Sequence, residues 1–377
     1  MGNKIDIRKV VRGLSNFKVS LASDIEDPKD FVSTGNLSFD LQLDGGIPFG
    51  YVSEFMGFSQ SGKSLFIQQV IANAMKEYNA TGILIDRENA YTKKRGTQLG
   101  IDNDALVLAK PKDTPTPLSA FSFIIQTVEA IRKAEETHNK NAKKKEDKIE
   151  PSYIAIGIDS ISSFGKDVDL DKSDSGRKAK SIHEGLRELL SIMDNRTMLM
   201  IANQFTFKIG VMFGDPRTTT AGEAIKYYGN IRLALQDVKR IKDARRNNEV
   251  VGNWITAEVV KTRLGPCYRK ISIQHLYSTG IDYYSGYARM LVNRGYLNPK
   301  NKEEFKKFNQ NTVVYGEGDD KQVYRETAVD QMVADHPELL FTNYPEYNLP
   351  ENEKNEEKEE AGADTKGKKK STKKTAK

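Results

Sequence analysis

This sequence of 377 residues has one cysteine, four histidines and no long apolar run. The single cysteine, Cys267, excludes a disulfide within the chain, and the scattered histidines form no cluster spaced for zinc. A membrane-spanning helix needs about eighteen consecutive apolar residues and a secretory signal needs a shorter apolar core; neither pattern is present. We therefore expect a protein of the reducing cytoplasm that has no membrane partner.

The excess of positive over negative charge is also small. Lysine and arginine number 58 against 52 acidic residues, which leaves a net charge of +6. A mildly basic chain permits a nucleic-acid partner, but a solvated lysine-rich surface would give the same balance. The length is sufficient for about two or three domains.

The most informative short motif is Gly-Phe-Ser-Gln-Ser-Gly-Lys-Ser at positions 57–64, which matches G-x-x-x-x-G-K-[ST]. A β-rich run, Tyr51 to Met56, precedes it, and an amphipathic helical run begins near Leu65. Backbone amides in such a loop and the start of the following helix form an anion site. We predict that the nucleotide is bound by Gly57, Phe58, Ser59, Gln60, Ser61, Gly62, Lys63 and Ser64. Lys63 should reach the outer phosphates, and Ser64 should ligate Mg²⁺; a chance match in a turn is the alternative.

Two later apolar runs, each typical of a buried parallel strand, end in acidic side chains. Gly82 to Ile85 leads to Asp86 and Glu88, and Tyr153 to Ile158 leads to Asp159. Sites in open α/β sheets lie at this end of the strands. Glu88 is therefore a candidate base for the water that attacks the γ-phosphate, and Asp159 a candidate Mg²⁺ ligand. A loop carboxylate and a helix cap, respectively, are the alternatives.

The segment from Phe205 to Gly222 mixes apolar, basic and hydroxyl side chains with glycine. Apolar groups of this kind wedge between bases, and cations and hydroxyls hold phosphates, so the segment predicts a single-strand DNA-binding element. A packed β-hairpin is the other interpretation. The candidate DNA-binding residues here are Phe205, Lys208, Ile209, Gly210, Val211, Met212, Phe213, Arg217, Thr218, Thr219, Thr220 and Gly222.

Together these stretches resemble the RecA family of homologous recombinases, including phage-encoded members of the UvsX type. The similarity covers roughly residues 33–340, and the run from Lys208 to Thr220 is its most specific part. It implies an α/β, RecA-like P-loop ATPase core with a central, largely parallel twisted sheet flanked by helices. The implied domains are an N-terminal oligomerisation arm (1–32), the ATPase and DNA-binding core (33–283), a small α/β C-terminal domain (284–347) and a disordered charged tail (348–377). The arm could equally pack on its own domain.

The resemblance also implies roles for individual residues. Glu88 matches the catalytic glutamate, and Gln204 matches the glutamine that senses the γ-phosphate and relays it to the second DNA-binding loop. Lys261 and Arg263 occupy the positions of two cations that reach the nucleotide of an adjacent subunit. A first DNA-binding loop spans Gly165 to Lys180, with Lys178 and Lys180 as its candidate contacts.

Some positions depart from the family pattern. Arg95 stands where a tyrosine of the family often stacks on adenine. Arg263 stands where the family has a lysine, and its planar guanidinium differs in geometry from an ammonium. The lysine-rich stretch from Lys140 to Lys148 looks like an insertion, and it reads either as a solvated extension or as a nucleic-acid contact.

The function implied is an ATP- and Mg²⁺-dependent DNA recombinase. Its subunits would form a helical homo-oligomeric filament on single-stranded DNA, pair it with double-stranded DNA, and work with single-strand-binding and mediator proteins. A ring helicase or other DNA-translocating ATPase is the alternative, and a nonenzymatic ATP-gated DNA scaffold is a third.

Overall fold

A computed structural model describes residues 27–164, 175–207, 217–219, 223–287, 290, 312–315, 322–325, 332–333 and 335. The chain divides into two compact units, residues 1–283 and 284–377. Residues 1–26 of the predicted arm lie outside the described ranges, as does the whole predicted tail.

The first unit alternates strands and helices along the chain. It begins with β1 (Phe31–Val32), α1 (Leu37–Gln42), β2 (Ile47–Pro48), β3 (Val52–Gly57) and α2 (Lys63–Tyr78). Next come β4 (Thr81–Asp86), α3 (Lys93–Leu99), β5 (Val107–Ala109), α4 (Pro117–Asn141), β6 (Ile154–Asp159), α5 (Ser175–Ile192) and β7 (Thr197–Phe207). It ends with β8 (Arg217–Thr219), α6 (Ala224–Tyr228), β9 (Ile231–Asp243), β10 (Glu249–Lys261), β11 (Lys270–Leu276) and β12 (Gly280–Ile281).

One large sheet organises this unit, with the strand order β12-β11-β10-β9-β3-β7-β6-β4-β5. The pairs from β9 across to β5 are parallel, and the pairs that involve β10, β11 and β12 are antiparallel. Parallel neighbours need crossover connections, and helices such as α2 supply them. The predicted α/β fold with a mostly parallel central sheet flanked by helices is therefore confirmed.

Apolar residues cover both faces of the sheet, because successive side chains of a strand point to opposite sides. Leu84 of β4 belongs to a core cluster with helix α2, whereas Ile83 and Ile85 belong to a second cluster with α4 and α5. Helix α2 starts after its N-cap, Gly62, whose φ of 98° suits glycine, and it is followed by its C-cap, Asn79, whose φ is 50°. The core thus holds the start of α2 against the carboxyl ends of the strands.

Two elements continue into segments that were expected to contact DNA. Strand β7 continues to Phe207 because it pairs with β8. The expected first DNA-binding loop, Gly165 to Lys180, is wrong in its second part, because helix α5 begins at Ser175; residues 165–174 lie outside the described ranges. The lysine-rich stretch forms the end of α4 and a short 3-10 turn, Lys145–Asp147, and its lysines are exposed.

The second unit has one described hairpin, in which β13 (Thr312–Tyr315) pairs antiparallel with β14 (Gln322–Arg325). Tyr287, Met290, Met332 and Val333 are buried.

A fully buried carboxylate lies in the middle of the large sheet. Glu54 of β3 accepts a hydrogen bond from Asn203 Nδ2 at 2.7 Å and forms an ion pair with Arg232 Nε at 2.5 Å. Arg232 Nη2 also reaches Met56 Sδ at 2.9 Å. Three neighbouring strands are therefore joined by polar contacts within the sheet, in addition to their backbone ladders.

Replacing Arg232 should destabilise the fold strongly. Arg232→Met keeps an apolar stem but leaves the buried Glu54 charge without its partner, and we expect the free energy of unfolding to fall by about 3–5 kcal/mol. Urea denaturation followed by circular dichroism measures this. As the control, Lys140→Met breaks the ion pair with Glu136, in which both side chains are largely exposed, and should barely move the midpoint. Equal losses in the two variants would contradict the assignment.

Candidate nucleotide-binding site

The phosphate loop joins β3 to α2 at the carboxyl edge of the sheet. A Cβ on Gly57 would collide with Ser61 Oγ and with the Leu235 carbonyl oxygen, so this close approach requires glycine. Gly62 is the N-cap of α2 and offers no side-chain hydrogen bond. The backbone N–H groups at the start of α2 therefore point into the loop as donors for an anion.

Lys63 lies inside the turn of this loop. Its Nζ donates to the carbonyl oxygens of Gly57, at 3.2 Å, and Phe58, at 2.6 Å. Burial lowers the pKa of the Lys63 ammonium, and the Asp159 and Glu88 carboxylates oppose that shift. A cation is thus held where the loop turns, within the field of the two carboxylates.

Three carboxylates meet at the ends of β4 and β6, where Asp86 and Asp159 are paired in register. Asp86 accepts hydrogen bonds from the amides of Ala90 and Tyr91, at 3.1 and 2.9 Å, so it fixes the turn that follows β4. Glu88 Oε1 accepts hydrogen bonds from the hydroxyls of Ser160 and Ser163, at 2.7 and 2.8 Å.

Asp159 is a buried carboxyl at the end of β6. Burial raises its pKa to about 6, because desolvation outweighs the hydrogen bond from Ser64 and the Glu88 and Asp86 carboxylates add to the shift. A hydroxyl oxygen and a carboxylate oxygen that lie side by side are suitable ligands for Mg²⁺, which usually keeps several water ligands as well. The residue types at Ser64 and Asp159 therefore fit the predicted metal. Among the described residues there is no cluster of three or more His, Cys, Asp or Glu side chains arranged for a metal.

These groups open onto a pocket of about 550 Å³, a size typical of small-molecule sites. It brings together several predicted residues, namely Ser59, Gln60, Ser61, Gly62, Lys63, Ser64, Glu88, Asp159 and Gln204. Other side chains lining it had not been identified from the sequence, namely Arg240, Asn253, His275 and Tyr277.

Pairing across three strands explains three of these four residues. Asn253 of β10 lies opposite Arg240 of β9 on one side and opposite His275 of β11 on the other. Antiparallel register of this kind depends on contacts far apart in sequence, and these three positions carry no local motif that could have identified them.

Arg95 does not line the pocket but supports one of its walls. Arg95 Nη2 lies 2.9 Å from His275 Nε2, and His275 Nδ1 lies 2.9 Å from Asn253 Oδ1. Because arginine only donates, Nε2 accepts, so the ring is neutral and donates from Nδ1 to Asn253. Burial, and then the charge of Arg95, lower the pKa of His275 to about 4.

Gln204 lies beside the loop, opposite Gly57 in the parallel pair of β3 and β7. Just beyond it the chain forms a hairpin, in which Phe205, Thr206 and Phe207 pair with Thr219, Thr218 and Arg217. The two alternative interpretations of this segment are thus compatible, since its base is a hairpin and the residues between the strands remain candidates for DNA contact. Lys208, Ile209, Gly210, Val211, Met212, Phe213, Thr220 and Gly222 lie outside the described residues.

The remaining candidate cations lie on other elements. Lys178, in the first turns of α5, donates to the Ser162 and Phe164 carbonyl oxygens at 2.8 and 3.0 Å, and burial lowers its pKa. Lys180 is exposed, and its Nζ lies 3.8 Å from Glu184 Oε1.

The two cations predicted to act on a neighbouring subunit lie at the end of β10 and just beyond it. Lys261 donates to the Lys226 carbonyl oxygen at 2.8 Å, and Arg263 is exposed. Neither lines the pocket of its own chain.

The described part of the chain contains no helix long and apolar enough to cross a membrane.

Acid should weaken the fold through His275. A group whose pKa falls from 6.5 in the unfolded chain to about 4 in the folded chain contributes stability above pH 6.5, and that stability is lost as the pH falls towards 4. The stability advantage of the wild type over His275→Gln, measured by urea denaturation, should therefore shrink between about pH 7 and pH 5. His138→Gln, which removes an exposed ring, is the control; an equal pH dependence there would contradict the assignment.

Comparison with known proteins supports one family. A model of the RecA N-terminal domain matches residues 14–131 and 154–282 and skips the segment that contains the lysine-rich stretch. The RecA protein of Marinobacter nauticus is 32% identical over 272 residues, which cover 71% of each chain. RecA of Acidiphilium cryptum is 31% identical over 258 residues (67% of each chain), and RecA of Chlorobium limicola is 29% identical over 301 residues (78% of each). The chain belongs to the RecA family.

Proposed function

We propose that this RecA-family recombinase is a DNA-dependent ATPase that assembles on single-stranded DNA as a helical filament and exchanges strands with a homologous duplex. The observation that carries the proposal is the position of Gln204. It lines the phosphate pocket, pairs in register with Gly57, and immediately precedes the hairpin expected to bind DNA. Gln204 therefore lies at the nucleotide pocket and directly precedes the first residue of the proposed DNA-binding segment.

Nucleotide binding in this proposal uses the phosphate loop and its flanks. ATP supplies the phosphoanhydride bond that is cleaved, and Mg²⁺ neutralises the charge on its phosphates. The loop amides and Lys63 hold the phosphates, while Ser64 and Asp159 provide the protein oxygens for the metal. The raised pKa of Asp159 reflects the free-energy cost of an ionised carboxylate at a buried position.

Glu88 is the proposed general base. The two serine hydroxyls that reach its Oε1 orient the carboxylate. Its Oε2 is then the oxygen that accepts a proton from the attacking water. Glu88 lines the same pocket as Lys63, so the base and the phosphate-binding cation share one cavity.

DNA binding is assigned to two segments. The hairpin contributes Phe205 and Arg217, together with the candidates between its strands, and the first turns of α5 contribute Lys178 and Lys180. Cations neutralise DNA phosphates and apolar side chains separate bases, so DNA affinity should fall with salt. Duplex DNA, single-strand-binding proteins and mediator proteins are the further partners proposed.

Lys261 and Arg263 are assigned to the nucleotide of the adjacent subunit, since they are absent from the pocket of their own chain. A head-to-tail interface of this kind is heterologous and generates a helical filament when it does not close. A cation that arrives across the interface would stabilise charge on the transferred phosphate and tie hydrolysis to assembly.

Glu88→Gln tests the catalytic assignment. Loss of a general base should lower DNA-stimulated ATP hydrolysis by about 10²–10⁴-fold and leave a form that binds ATP. Phosphate release measures turnover, with the exposed Glu129→Gln on α4 as the control. Unchanged turnover would remove Glu88 from its role. Electron microscopy of the variant with ATP and single-stranded DNA should show helical filaments, whereas closed rings would favour a translocating ATPase.

Mixing two inactive variants tests the shared site. The Lys261→Ala variant retains Glu88, the proposed base. The Glu88→Gln variant retains Lys261, the cation proposed to act on the nucleotide of a neighbouring subunit. In random filaments from equal amounts, about a quarter of interfaces combine an intact Glu88 with an intact Lys261, so the mixture should recover about that share of wild-type ATPase. If Lys261 acts within its own chain, the mixture stays as inactive as its parts.

A further inference from the structure

An aromatic contact joins the phosphate loop to the hairpin. The ring of Phe58, the residue after Gly57, stacks on Phe207 at 5.4 Å with an interplanar angle of 28°. It also lies 5.5 Å from the Phe205 ring, at 60°. On the other strand of the hairpin, the Arg217 guanidinium lies 5.3 Å from the centre of the Phe205 ring. Side chains from the loop and from both strands of the hairpin are therefore in one continuous stack.

This stack differs from the core in its exposure. Phe58 is 39% exposed and Phe207 is 58% exposed. Neither belongs to the two core clusters that cover the sheet. An exposed contact of this kind adds little to stability and can rearrange without disturbing the packed interior.

The backbone of Phe58 is tied to the residue that holds phosphate. Its carbonyl oxygen accepts hydrogen bonds from Lys63 Nζ at 2.6 Å and from the Ser61 amide at 3.3 Å. A charged donor makes the first of these bonds strong. A bound triphosphate would compete with this carbonyl for the same ammonium, and the Phe58 backbone would then lose this hydrogen bond.

We propose that Phe58 is a positioning residue that carries the state of the nucleotide to the hairpin through its ring, by a route separate from Gln204. This inference rests on the proposed function, since it concerns how the same site controls DNA affinity. Lys63 moves towards the phosphates, the Phe58 carbonyl is released, and the stack on Phe205 and Phe207 shifts the two strands that lead to the DNA-binding residues.

The test measures coupling rather than activity. The affinity for a fluorescent single-stranded oligonucleotide is determined with a saturating nonhydrolysable ATP analogue and with saturating ADP, and the ratio of the two affinities is the coupling factor. Phe58→Ala should reduce this factor by about fivefold or more, and Phe58→Tyr, which keeps the ring, should preserve it. General damage to the loop would weaken the binding of both nucleotides and leave the ratio at saturation unchanged.

A second variant keeps the test independent of any defect in the loop. Phe207→Ala removes the other half of the stack and should lower the coupling factor to a similar degree. The double variant should lose little more than either single one, because both remove the same contact. A coupling factor for Phe58→Ala within about twofold of wild type would overturn the inference, as would additive losses. A wild-type coupling factor near one would instead contradict the proposed function itself.

Discussion

Parallel pairing between β3 and β7 is the constraint on which the rest of the structure depends. The ladder places Gly57, where the phosphate loop begins, opposite Gln204, where the strand leaves the sheet for the hairpin. The ladder between β4 and β6 places Asp86 opposite Asp159 at the same edge. Because each strand is buried on both faces, a slip in register would disrupt two core clusters at once. The sheet therefore fixes the positions of Gly57, Gln204, Asp86 and Asp159 at one edge.

The same edge collects groups that are costly to bury. Burial raises the pKa of Asp159 and lowers that of Lys63, because the loss of solvent disfavours both charged forms. The attraction between the two charges and nearby hydrogen bonds partly offset this loss. Deeper in the sheet, Glu54 and Arg232 form a buried ion pair that connects β3 to β9. Perturbed groups that meet in a cleft are typical of functional sites, whereas Glu54 and Arg232 are not among the residues that line the pocket.

Local signals predicted much of this arrangement. The phosphate loop and the apolar runs that end in Asp86 and Asp159 could be recognised because each depends on neighbours in sequence, whereas Gln204 was identified through the resemblance to the family. The ladder from Arg240 through Asn253 to His275 could not, since it arises from the register of three distant strands. Nor did composition indicate that β7 continues to Phe207, because that extension depends on pairing with β8. The two chain ends lie largely outside the described residues, so their predicted roles stay predictions.

Coupling between nucleotide and DNA is the central claim, and the unmodified protein tests it most directly. Its affinity for a single-stranded oligonucleotide is measured with a nonhydrolysable ATP analogue, with ADP and without nucleotide, at several ionic strengths. The account predicts the tightest binding with the ATP analogue at every ionic strength, together with a loss of affinity as salt rises. Equal affinity in all three nucleotide states would contradict it, because the pairing of Gly57 with Gln204 would then carry no signal.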